Sequence, residues 1–489
     1  MITLCDLPDD ILLEVLTQNI LSERDINAFS QTNHRLHIPA NRCLYRQNAL
    51  HNRSSALIWA SETGNLSTAL YALEHGGADI NIKSLKHYGG TPLMLASEKG
   101  HRVVAQLLLS KGANPNATNI FHETALSVAA QTGALDTVNL LLDHPRTLPD
   151  QPDTSGQTAF WWACCNGHQA VVERLLARPD VDINRQRQDG ATPLISATGA
   201  GHVAVVQVLC EDERIELNRC TEDSRTALMV AALHGNETIA KMLLHMPSCN
   251  VDAEDSEGKR ALPYAVRGDC VAIVQLLIER GADVNYQDQL GRTALSIAAD
   301  LGRESMTALL LRHDADPTLA DSRGWLPLHW AAQAGHEAVV RVLLEDGRTN
   351  PGHSSLIGTA PLHCASWDGH HGVLKLLLAK DNIDVNCKDN AGWTPLIWAT
   401  FNKSVSLMQL FLDDSRTDVN AQEHEGRTAL FFAAKMRQGA VVEALLSHAM
   451  IDAAITDHTG KNAIMYANEL GYLDIAALIE ASAKKGQYQ

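Results

Sequence analysis

Several things are scarce in this chain, and each scarcity excludes a class of protein. Cysteine is one: ten in 489 residues, with no C-x-x-C spacing, leave neither a disulfide framework nor a zinc ribbon. The adjacent Cys164 and Cys165 do not change this, because sequence neighbours rarely bridge. Positive charge is also short. Forty Lys and Arg against 57 Asp and Glu give a net charge of −17, which repels a nucleic-acid backbone unless a basic stripe is segregated on one face. Long apolar runs are missing as well. No stretch of about 18 apolar residues offers a membrane span, and the opening MITLCDLPDD has no basic segment followed by an apolar core. The expectation is reduced thiols and a cytoplasmic or nuclear location. Phosphate-binding glycine loops, G-x-S-x-G and H-E-x-x-H are absent too, so neither an enzyme, a cofactor nor a metal site is expected.

What the chain does have is a period. Units begin at SALI (55), TPLM (91), TALS (124), TAFW (158), TPLI (192), TALM (226) and RALP (260), then at TALS (293), LPLH (326), APLH (360), TPLI (394), TALF (428) and NAIM (462). We number them repeats 1 to 13. Their spacing of 33 to 36 residues means a stacked solenoid. The fifth residue after every start is alanine, from Ala60 and Ala96 to Ala433 and Ala467, where close helix packing leaves room for a methyl group. Four residues later, glycines such as Gly64, Gly100, Gly335 and Gly369 are placed to end the first helix in a left-handed conformation. Repeats 7, 11 and 12 carry Asp269, Lys403 and Arg437 there instead, which leaves their loop geometry open. Threonine before Pro or Ala caps the first helix, and a second helix follows with spacing such as Val103, Val104, Leu107 and Leu108.

The pattern resembles the ankyrin repeat, whose T-P-L-H-x-A signature these tetrapeptides match in type. The resemblance implies an all-α solenoid over residues 51–482, followed by a short polar tail at 483–489. His329, His336, His363, His370 and His371 look like a metal cluster. The first four, however, occupy repeat positions, and no ligand spacing accompanies them, so they are read as structural. Arg267–Gly268–Asp269 likewise falls in an inter-helix loop.

Residues 1–48 do not share the period. LPDDILLEVL places Pro8, Asp9 and Asp10 at a helix start, with Ile11, Leu12, Val15 and Leu16 on one face. Ser22 caps a second helix bearing Ile26 and Phe29, and a third spans about Leu36 to Tyr45. So small a piece buries only a marginal core and needs a partner or the adjoining array. The order Leu7, Pro8, Ile11, Leu12, Asp25, Ile26, Asn33, Arg35, Leu36 resembles an F-box, although that family's frequent tryptophan near the motif's end is absent. The resemblance implies docking on a Skp-type adaptor of a cullin–RING ubiquitin ligase through Leu7, Pro8, Ile11, Leu12 and Val15. The array behind it would then select the target. The alternative is a helical cap that shields the first repeat in a scaffold unrelated to ubiquitin.

The same resemblance places a protein partner along the hairpin tips and the ends of the first helices. The residue before each start then gives a basic and aromatic row: Arg225, Lys259, Arg292, Trp325, Thr359, Trp393, Arg427 and Lys461. The seventh residue after a start adds Trp367 and Phe401. The expectation is that Trp325, Trp367, Trp393 and Phe401 grip an acidic or phosphorylated segment of the target flanked by Arg292 and Arg427. Trp59, Trp162, Trp330 and Trp398, each four residues after a start, are expected to pack internally.

Overall fold

A computed structural model describes residues 55–486. Among them the regular structure is helical, apart from one isolated antiparallel bridge between Cys220 and Thr226. They fall into two compact units, the described parts of Met1–Ala231 with Thr238–Cys249, and of Ala232–Glu237 with Asn250–Gln489. Each unit is a stack of helix pairs. In the first, Pro92–Glu98 is followed by Arg102–Ser110 and Ala125–Thr132 by Leu135–Leu142. In the second, Pro327–Ala334 pairs with Glu337–Glu345, Pro361–Asp368 with His371–Leu378, and Pro395–Phe401 with Val405–Leu412. The last helix, Leu473–Gly486, continues past the boundary expected at 482.

The alanine rule holds at every repeat: all thirteen of these alanines have 0% exposure. Within each unit successive first helices pack on one another, and a longer side chain there would have to push them apart. Thr91, Thr124, Thr158, Thr192, Thr293, Thr394 and Thr428 cap these helices, each hydroxyl accepting from the backbone N–H three residues on. Each cap satisfies a donor that would otherwise be orphaned.

The loop after the first helix keeps one geometry whatever residue occupies it. Gly335 and Gly369 have φ of 78° and 81°, and Asp269, Lys403 and Arg437 adopt the same left-handed region at 55°, 59° and 53°. The missing glycines therefore change the conformational cost, not the path of the chain. The Gly-His pairs have a related explanation. His101, His168 and His202 in the first unit, and His336 and His370 in the second, each reach back through Nε2 to a first-helix carbonyl of the preceding repeat, at 2.8 to 3.0 Å. Each ring lies where a Cβ on the preceding repeat's glycine would stand. Glycine in one repeat thus makes room for histidine in the next.

A residue with L chirality in the left-handed region costs about 1 kcal/mol or more. Lys403→Gly is therefore expected to raise stability by about 1 kcal/mol. The check is an upward shift of the denaturant midpoint with an unchanged slope.

Candidate functional site

Several hairpin tips are built around one acidic side chain placed five residues before the start. In repeat 11, Asp389 Oδ1 accepts the backbone N–H groups of Ala391 and Trp393, both at 2.9 Å, while Oδ2 accepts Trp398 Nε1 at 3.0 Å. In repeat 9, Asp321 does the same for Arg323, Trp325 and Trp330. Asp153 with Trp162 repeats the arrangement in the first unit, and Asp457 with Tyr466 in the second. Trp162, Trp330 and Trp398 are accordingly half-buried structural rings. Trp59 departs from that expectation at 51% exposure. The residue nine positions before it is Leu50, which has no carboxylate to hold an indole N–H.

The same bond corrects the expected row of target contacts. Because the tip carboxylate takes the N–H of the residue before the start, that residue is drawn into the turn. Trp325 is only 8% exposed. Its ring lies 4.9 Å from Trp330 and 5.8 Å from His329, so it is a wall of the fold and not a projecting anchor. Lys259 and Thr359 are buried as well. The cations of the row are matched by acids of the chain itself. Arg292 pairs with Asp288 at 3.0 Å, and Arg427 with Glu423 at 3.0 Å and with Glu425. Lys259 meets Glu257, Lys461 meets Glu469, and Arg225 lies 3.7 Å from Asp223. Arg292 and Arg427, with side chains 21% and 19% exposed, are therefore not free cations for an acidic or phosphorylated target. That expectation is corrected.

The remaining aromatics do converge, all within the second unit. Trp367 is 46% exposed and stands 4.9 Å from Trp398 and 5.6 Å from Phe401. Phe401 stacks on Trp393 at 5.1 Å and 12°, and Phe432 lies 5.1 Å from Trp393. Beside them, Leu356 and Ile357 at the tip of repeat 10 are exposed. Between repeats 9 and 11 opens a cleft of about 300 Å³. Trp325, Trp367 and Trp398 supply its indoles, Ile357, Thr359, Cys364 and His363 line it further, and Gln333 and Asp368 add polar groups.

The cleft has its cause in the repeat pattern. Repeat 9 carries Trp325 and Trp330 before and four after its start, and repeat 11 carries Trp393 and Trp398. Repeat 10 between them has Thr359 and Cys364. Its tip residue is Ser355 in place of Asp, and Ser355 bonds to Thr359 at 2.7 Å instead of holding a ring. The cleft is the space of an omitted aromatic pair. The signal lay in the repeat alignment, as a gap in a periodic row.

His329 and His363 are committed to the fold through both ring nitrogens. Their repeats begin with Leu326 and Ala360, which cannot cap a helix. His329 Nδ1 accepts the Leu326 N–H at 3.2 Å, and His363 Nδ1 accepts the Ala360 N–H at 3.0 Å. Each ring's Nε2 donates onward, to the Thr359 and Trp393 carbonyls. This double use requires the neutral ring with its proton on Nε2. Burial pushes His329 down to about 4, and His363 downward for the same first cause. Among the described residues no cluster of His, Cys, Asp and Glu suits a metal ion. The expected adaptor contacts Leu7, Pro8, Ile11, Leu12 and Val15 lie outside the described residues.

Two outcomes follow. Trp325→Ala is expected to cost about 3 kcal/mol or more, and Trp367→Ala less than about 1 kcal/mol, both read by chemical denaturation. His329 is protonated more readily in the unfolded chain than in the folded one. Its contribution is therefore whole above about pH 6.5 and is lost as pH falls toward 4, by about 1.4 kcal/mol per pH unit and on the order of 3 kcal/mol in all. His329→Gln is expected to flatten that acid limb; an unchanged slope would remove His329 as its cause.

Comparison with known proteins agrees with the repeat geometry. The chain is 32% identical over 140 residues to the ankyrin repeat and KH domain-containing protein mask-1 of Caenorhabditis elegans, covering 28% of this chain and 5% of that protein. It is 36% identical over 100 residues to the protein fem-1 homolog A-like of Mus musculus, covering 20% of this chain and 14% of the relative. With the E3 ubiquitin-protein ligase XBAT33 of Arabidopsis thaliana it shares 35% over 92 residues, 18% of each chain. The chain thus spans less than a fifth of the length of each of these relatives. The family pattern described as ankyrin repeats (3 copies) matches residues 30–119, 118–187, 179–255, 217–288, 262–354, 348–423 and 402–488. With residues 30 to 488 covered, the chain belongs to the ankyrin-repeat family, a helical protein-binding fold.

Proposed function

We propose that this chain is the substrate receptor of an SCF-type cullin–RING ubiquitin ligase. The observation that carries the reading is the order of elements in the sequence: the F-box-like Leu7, Pro8, Ile11, Leu12 and Val15 stand directly before a protein-binding array. In this reading the head docks on a Skp-type adaptor and the array holds the target close to the ubiquitin-charged enzyme, so rate enhancement comes from proximity and the chain does no chemistry of its own. Similarity to a relative named as an E3 ubiquitin-protein ligase supports it over a short segment. Trp367, Trp393 and Phe401 form the target-binding face, with Trp325 as the cleft's wall. A location in cytoplasm or nucleus fits thiols such as Cys364 and Cys387, which burial raises to about 12 and so keeps protonated. Among the described residues no helix is long and apolar enough to cross a membrane.

One observation favours a second reading. The ankyrin match begins at residue 30, inside the segment assigned to the head, as expected if those helices cap the array of a scaffold unrelated to ubiquitin. The experiment that separates the two is co-purification with the Skp-type adaptor. Replacing Leu7 by Ala and Pro8 by Gly is expected to abolish it while the array melts as before, since interface anchors contribute about 2 kcal/mol or more each. Adaptor that stays bound to the double variant, or never binds the parent chain, leaves the scaffold reading.

A further inference from the structure

We propose that the cleft in repeat 10 receives an arginine side chain of the target protein, its guanidinium against the indoles of Trp367 and Trp398 and its charge opposite Asp368. The inference rests on the target-binding face described above and names the chemistry that face selects.

The space itself is the first argument. The cleft stands where repeats 9 and 11 each place a pair of rings and repeat 10 places Thr359 and Cys364. An occupant flat enough to continue the aromatic row replaces the missing pair. Trp367 and Trp398 meet at 70° with centroids 4.9 Å apart, so the cleft has two indole walls set at an angle.

Charge is the second. Asp368 lines the cleft, is exposed, and takes part in no ion pair among the described residues. The neighbouring basic row is already matched by its own acids, and the whole chain carries −17. His363, the other titratable nitrogen-bearing wall, is held neutral by burial with its Nε2 committed to the Trp393 carbonyl. No lysine or arginine is among the residues that line the cleft, so its walls offer an anion no cation. A purely apolar ring would fill the slot but desolvate Asp368 without compensation.

The geometry favours arginine over lysine. A guanidinium is planar, weakly hydrated and able to stack on an aromatic face while it bonds a carboxylate in the plane. The chain already uses this contact. Arg323 lies over Trp330 at 5.7 Å and over Trp325 at 6.0 Å, and in the first unit Arg187 lies over Trp161 at 5.1 Å while paired with Asp189.

The test is a tryptophan-fluorescence titration of the full chain with N-acetylarginine methylamide, and with its lysine and citrulline counterparts. Citrulline keeps the plane and removes the charge. The arginine probe is expected to bind at least about tenfold more tightly than citrulline, and Asp368→Asn or Trp367→Ala to weaken it by about tenfold. Glu443→Gln, an acid removed from repeat 12, is expected to change nothing. The combined replacement Ser355→Asp and Cys364→Trp installs the ring and carboxylate of the neighbouring repeats and is expected to abolish binding. Equal binding of arginine and citrulline overturns the proposal, as does full binding by Asp368→Asn or by a folded chain with the filled cleft. If the filled chain does not fold, the surface replacements Asp368→Asn and Trp367→Ala decide. Arginine binding without adaptor co-purification overturns the ligase reading and leaves the cleft assignment. Adaptor co-purification without arginine binding does the reverse.

Discussion

The aromatic stretch of the second unit depends on a bifunctional carboxylate that recurs at the hairpin tips of repeats 9, 11 and 13. One oxygen closes the turn on two backbone N–H groups and the other fixes a ring nine residues later, as in Asp321 with Trp330 and Asp389 with Trp398. A buried carboxylate without donors would be costly, and so would a half-buried indole N–H without an acceptor. Each partner therefore makes the other affordable. The exchange of both at once in repeat 10, to Ser355 and Cys364, keeps the polar groups satisfied and leaves a space. A single replacement would have left an orphaned group; the paired replacement leaves a cleft.

Much of the fold was legible in the sequence because its determinants are local or strictly periodic. The alanine five residues after each start reports a close approach that no larger side chain fits, and it is fully buried in all thirteen repeats. Threonine caps and loop glycines are likewise set by backbone needs within a few residues. The orientation of the residue before each start was not legible in the same way. Its side chain was assigned to the surface by position, but its N–H is captured by an acid four residues earlier, which turns it inward. That coupling becomes visible only when Asp321 and Trp325 are considered together with Trp330.

Charge shows the same dependence on pairing. Taken alone, Arg292, Arg427 and Lys461 suggest an electropositive row in an acidic protein. In the structure each is neutralised by a carboxylate of its own unit: Asp288, Glu423 or Glu469. These pairs remove the row as an attraction for anions.

The histidines illustrate how a repeat tolerates loss of its own signature. Where the cap threonine becomes Leu326 or Ala360, His329 or His363 accepts the backbone N–H of that residue and also reaches the next repeat's turn. Each ring thereby links its own helix start to the next repeat, at the cost of burying a titratable group. Two such histidines in succession join repeats 9, 10 and 11 through the Thr359 and Trp393 carbonyls. Those are the residues that stand before the starts of repeats 10 and 11, one lining the cleft and the other beside its aromatic wall. These hydrogen bonds tie together the repeats between which the cleft opens, across the smaller Thr359 and Cys364.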